Sequence, residues 1–248
     1  MSLPVEYRAS LGRDGYSIVN KFGFQAAVGT TVVAVWDQAA AYNYIAAATV
    51  LKVSSADAND TAAGTGAQTV TIYGLDGNYA EVNETVTLSG TTDVSTTQTF
   101  LRVFRIVVNT AGSGGVNAGI IYVYTGADTA GVPDDLTKVY AQVTASENQT
   151  LMAVYTVPAN KKALFRSLFI AGEASQIVTI RVVARPLGGA FNTKDKFLIE
   201  AGNTAIQHPY PVAFDEKVDI EVRGHVSAST TAIAAAFDII LIPKVGGE

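Results

Sequence analysis

The feature that most constrains this chain is period-two alternation. Short runs with apolar residues at every second position recur along it, separated by clusters of Gly, Pro, Asn and Asp. Val82, Glu84, Val86 and Leu88 alternate with Asn83, Thr85 and Thr87; Val218, Ile220 and Val222 alternate with Lys217, Asp219, Glu221 and Arg223. Side chains on a strand point to opposite faces in turn, so such runs read as strands with one buried face and one wet face. The second run is the clearest case, with its charges expected in water. Further strands are expected at 69–73, 99–108, 119–124, 139–143, 150–157, 163–171, 177–185, 196–199 and 231–242. Breakers such as Gly64-Thr65-Gly66, Gly112-Ser113-Gly114-Gly115 and Pro186-Leu187-Gly188-Gly189 punctuate them. Helical signals are few: Ala39–Ala41 and Ala46–Ala48, where a short turn is the most expected, and Ala232–Ala236, which reads as strand because Phe237, Ile239 and Leu241 continue with period two.

Many short strands in 248 residues imply an all-β chain of two tandem, jelly-roll-like β-sandwich domains. The polar, turn-rich stretch 126–138 reads as the linker. It separates a first sandwich at 20–125 from a second at 139–248. Residues 1–19 read as an extended N-terminal arm with scattered apolar anchors.

Composition narrows function by exclusion. There are no cysteines, so disulfides, thiolate metal sites and cysteine nucleophiles are ruled out. Two histidines and a net charge of −5 leave little basis for histidine metal sites, nucleic acid or an anionic membrane surface. No apolar segment reaches the roughly 20 residues of a spanning helix, and the first residues lack the apolar core of a signal peptide. No cofactor or metal is expected.

The chemical candidates are weak. His208 and His225 lie far apart in sequence and read as structural. Ser113 does not fit a nucleophile elbow. Asp57, Asn59 and Asp60, and likewise Asp76 and Asn78, resemble calcium loops only loosely and read as Asx turns. Glu81 and Glu84, three apart on one strand, point to opposite faces and so do not converge. Tyr42, Tyr44 and Tyr79 are the residues on which a glycan-binding reading depends.

Strands apolar on both faces belong either in the middle of a fold or between subunits. On that ground Ile121, Tyr122 and Val123, with Ile240, Ile242 and Trp36, are the interface candidates. The expected partner is a second copy of the chain, in a homo-oligomer such as a trimer.

Several segments stand out together: Asn20-Lys21-Phe22-Gly23, Val35-Trp36-Asp37, the run from Val53 to Ala67, Val70 to Asp76, Glu84 to Thr91, Thr99 to Val103, Asn148 to Ala159, Arg185 to Phe191 and Ala236 to Ile242. In these segments the chain resembles a family of tailed-phage virion structural proteins of marine and cyanophage type. At Phe24–Ala27 the chain departs from a more polar, Pro-containing turn. The resemblance implies a non-enzymatic particle component, assembled in the host cytoplasm and released by lysis. Its partners would be its own copies and the major capsid or tail proteins. A capsid decoration or cement role is favoured over a tail or fibre-associated one, with a glycan-binding host-adhesion module as the alternative of another class.

Overall fold

The computed structural model describes residues 3–38 and 40–244. The strands, in chain order, are β1 (Ser17–Val28), β2 (Val33–Ala34), β3 (Lys52–Ser55), β4 (Ala67–Leu75), β5 (Glu81–Thr87), β6 (Val94–Ser95), β7 (Arg102–Ala111) and β8 (Ile121–Tyr124). They continue with β9 (Asp128–Thr129), β10 (Val132–Pro133), β11 (Val139–Val143), β12 (Val154–Thr156), β13 (Lys161–Arg185), β14 (Asn192–Phe214), β15 (Asp219–Val226) and β16 (Thr231–Pro243). The chain is all-β, as the alternation implies.

Two compact units form, and they differ from the expected tandem lobes. One combines Met1–Ala39 with Ala153–Glu248, and the other is Ala40–Met152. Long-range pairing is the reason. β1 runs antiparallel to β16 from Ser17↔Leu241 to Val28↔Thr231, which ties the N-terminal strand to the C-terminal one. The stretch 126–138 is not a linker. It lies inside the second unit, where β9 pairs with β10 and the Ser54 hydroxyl donates to the Gly131 carbonyl at 2.8 Å. Gly131 has φ 78°, and a Cβ there would fall 2.0 Å from the Ser55 carbonyl oxygen, so the hairpin needs glycine.

The expected extended arm is also absent. Val5–Ser10 form a short helix, α1, and Arg13–Gly15 a 3-10 turn, before β1 begins at Ser17. The segment is fixed to the rest of its unit by Arg166 Nη1 on Glu6 at 2.7 Å and Lys161 Nζ on the Gly15 carbonyl at 2.7 Å. No helix forms at Ala46–Ala48 or at the described Ala40 and Ala41, and Ala39 lies outside the described residues.

The first unit is built around β13. Lys161–Gly172 of this strand pairs with β16, and Val178–Arg185 pairs with β15, while β14 pairs along its other side with Ala163–Gly172 and with Ile177–Ala184. The register breaks between Gly172 and Ile177. Strand β13 therefore serves two layers. Gly224 on β15 faces Ile233 of β16, whose Cδ1 would lie 3.0 Å from a Cβ at that glycine. Gly23 on β1 approaches closer still, with the Val35 carbonyl oxygen 2.1 Å from where its Cβ would stand. Between the layers lie Phe165, Leu168, Ile180, Val222, Phe237 and Ile239, all buried. Each fully buried large apolar side chain contributes roughly 1.5–3 kcal/mol.

The second unit carries three sheets, ordered β11-β8-β3-β6, β5-β4-β7 and β10-β9. Its core includes Leu51, Val53, Val70, Ile72, Phe100, Ile106, Ile121 and Val123.

Candidate functional site

The interface candidates taken from the sequence lie within the chain's own cores. Ile121 and Val123 are fully buried, and Tyr122 nearly so, on β8 between β3 and β11. Ile240 is buried on β16 between β1 and β13, and Ile242 is half-buried near its end. Trp36 is buried, and its carbonyl accepts from Gln25 Nε2 at 3.0 Å. Central positions in sheets account for the burial of Ile121, Tyr122, Val123 and Ile240, which leaves those side chains almost no surface to offer a second copy.

The carboxylates are committed to the framework. Asp60 is fully buried and accepts from Ser55 Oγ at 2.6 Å and from the backbone N–H groups of Ala67 (2.7 Å), Ala118 (2.8 Å) and Gly119 (2.9 Å). A carboxylate offers about four lone-pair sites, so this one has no capacity left for a cation. Asp57 accepts from the Asn59 backbone, and Asp76 from the backbones of Asn78 and Ala80, as Asx turns do. Glu84 accepts from the backbone of Thr97 and Gln98. Among the described residues no group of three or more His, Asp and Glu gathers as a metal site would.

The acidic residues on β15 are not in water. Asp219 is 3% exposed and Glu221 1%. Arg185 Nη2 meets Asp219 at 2.6 Å and Arg223 Nε meets Glu221 at 2.6 Å. Both guanidinium groups also lie over the Phe191 ring, 4.6 and 4.3 Å from its centroid. Two long Arg side chains and one ring thus roof the acidic residues, an arrangement the alternating pattern alone does not reveal.

The tyrosines do not make a sugar platform. Tyr42 and Tyr79 are 8% and 7% exposed. The Tyr42 hydroxyl lies 3.1 and 3.0 Å from the carbonyls of Val103 and Tyr140, and its ring meets Tyr44 edge-on. The Arg102 guanidinium lies 4.8 Å from the Tyr44 ring centroid and 5.6 Å from that of Tyr79, so the cluster is internal packing. His208 packs edge-on against Phe165, with Nε2 3.4 Å from Asp195.

The open chemistry lies instead on the β13–β14 hairpin, which sequence reasoning saw only in fragments. Strand β14 pairs with β13 and with no other described strand. Phe169 and Ile177 on β13 and Leu198 and Tyr210 on β14 are exposed, Leu198 at 66% and Tyr210 at 90%. Near the base of the hairpin, four residues of β14, 208–211, stand opposite Arg166 alone, and two of them are Pro209 and Pro211. Proline donates no backbone hydrogen bond, so this half of the edge is blunted. The half from Asn192 to Gln207 carries no proline.

On the outer face of that half, cross-strand pairing sets Lys196 beside Arg181 and Arg181 beside Arg223. The next row sets Leu198 beside Thr179 and Thr179 beside His225, and the next sets Glu200 beside Ile177. Partners opposite each other share a face. Burial, Arg181 and Lys196 together hold the His225 imidazole below its ordinary pKa. Three cations thus stand in one row, and among the described residues Arg223 at its far end meets Glu221.

No protein-family model matches the chain, and no curated protein matches it. Among solved structures it is similar to a chain of the infectious bursal disease virus Gt strain, at 10% identity and TM-score 0.22 over 94% of this chain and 73% of that one. A chain of the Gx strain of that virus gives 12% identity and TM-score 0.23 over the same shares. The PBSX exported protein XepA gives 13% identity and TM-score 0.20 over 90% of this chain and 86% of that one.

Proposed function

We propose that this chain is a non-enzymatic structural subunit of a tailed-phage particle, placed on the capsid exterior as a decoration or cement protein and associating with its own copies. The observation that carries the reading is how its buried charge is used. Asp60, Asp219 and Glu221 are each hydrogen-bonded into the frame rather than turned toward a cleft. Buried charge held this way fixes geometry and is costly to disturb. That suits a particle component, which needs stiff units and broad contacts.

The family resemblance along much of the chain supports the same reading, and burial of Tyr42 and Tyr79 weighs against the glycan-binding alternative. The test is mass spectrometry and antibody labelling of density-purified particles of the phage that encodes the chain. The chain is expected in a fixed ratio to the major capsid protein, with label over the shell. Label confined to the tail overturns the decoration role, and absence from the particle overturns the whole reading.

A further inference from the structure

The geometry points to the proline-free half of β14 as a homotypic interface, in which two copies of the chain pair their β14 edges antiparallel about Leu198. This deepens the particle-subunit reading by naming the surface through which copies meet. A strand with one unpaired edge is a template for another strand, and the sequence of this edge selects a copy of itself.

In an antiparallel pair with Leu198 opposite Leu198, each Lys196 stands opposite the other copy's Glu200, on the same outer face. The two-fold axis makes this happen twice. The row of cations Arg223, Arg181 and Lys196 then ends in a carboxylate from the second copy, and each Glu200 gains a cation. Opposite charges directly across strands stabilise, while like charges destabilise. Leu198 finds apolar contact with its own counterpart. Within one chain Lys194 and Lys196 keep foreign strands away, as edge lysines do; a partner with an acid at the right spacing offsets Lys196, while Lys194 stands opposite Gly202 of the second copy. Shifting the pair so that Leu198 faces Glu200 loses that match and leaves Lys196 opposite Gly202. The blunted half at Pro209 and Pro211 confines the contact to the stretch from Asn192 to Thr204 of each copy.

The test uses the full chain with light scattering after size exclusion, and cysteine cross-linking. The wild type is expected as a dimer or an even multiple of it. Lys196→Glu and Glu200→Lys each turn both symmetric pairs repulsive and are expected to weaken association about tenfold or more. The double exchange restores it. Both residues are exposed, and Lys196→Glu places an acid beside Arg181, so the folded chain is retained. The chain has no cysteine of its own, so Leu198→Cys reports on one site alone. Antiparallel partners stand about 4.5–5.5 Å apart at Cα, within disulfide reach. Leu198→Cys is expected to oxidise to a covalent dimer well ahead of the more exposed Tyr210→Cys. A monomeric wild type, single charge variants that associate like the wild type, or equal cross-linking at both cysteines would overturn the interface. Membership of the particle is decided separately, by the composition of purified particles.

Discussion

Arg185 holds Asp219 through a single carboxylate oxygen, Nη2 at 2.6 Å and Nε at 3.1 Å, while Thr156 Oγ1 donates to the other oxygen at 2.6 Å. Asp219 lies almost wholly out of water, so its charge depends on these partners. Breaking a buried pair from one side leaves a charge without compensation. Arg185→Ala leaves the buried Asp219 charge without its cation and is expected to lower the stability of the first unit by about 3 kcal/mol. Asp219→Ala removes that charge and leaves the part-exposed Arg185, so it is expected to cost less, and chemical denaturation of both variants and of the double mutant measures the coupling.

Ile121 and Ile240 sit in the cores of different units. Ile121→Asp and Ile240→Asp each place a carboxylate where no water or partner reaches it. Both are expected to lose cooperative unfolding and to aggregate, and thermal circular dichroism with light scattering checks this. A folded variant of reduced mass would return these residues to the interface.

Asp60 gathers donors from three places in the second unit, around Ser55, Ala67 and Ala118–Gly119. Asp60→Asn keeps the shape but replaces an acceptor with a donor facing N–H groups. The expected cost is about 2–4 kcal/mol, at roughly 1–3 kcal/mol for each buried donor left unmatched. Hydrogen exchange is expected to speed up in β3, β4 and β8 while β13 and β16 keep their protection. Uniform loss across the chain would contradict the assignment of Asp60 to one unit.

His225 gives a pH prediction with a definite sign. Its folded-state pKa lies below the ordinary value of 6.5, from burial first and then from Arg181 and Lys196. The unfolded chain therefore binds the proton more readily. The stabilisation from keeping His225 neutral is complete above 6.5 and is lost as pH falls through 6.5 toward the folded value. Denaturation midpoints of the wild type are expected to fall across that window, and those of His225→Gln to fall less. Equal slopes would show that the histidine is not held neutral.

Several elements were readable from sequence because they rest on local pattern. The strand at Val139–Val143 lies where alternation places it, and Thr231–Pro243 follows the period-two run through Phe237, Ile239 and Leu241. What was not readable rests on distant partners. The union of β1 with β16 depends on residues more than two hundred positions apart, so the N-terminal segment read as an arm and the chain as two tandem lobes. Asp219 and Glu221 looked solvated because an alternating pattern does not show Arg185, Arg223 and Phe191 closing over them. Strand β14 was seen only at 196–199, since Gly202, Pro209 and Pro211 interrupt its pattern. β13 nevertheless supplies a partner alongside it on both sides of those interruptions. The row of charges on its outer face appears only once the register is known.

Electron cryomicroscopy of the encoding phage's particle, at a resolution that traces strands, decides whether this chain is a particle subunit whose copies meet along β14. Density for the chain is expected on the shell, with β14 strands of neighbouring copies antiparallel and Leu198 at the two-fold axis. A particle without the chain, or one in which every β14 edge faces solvent, would contradict that expectation.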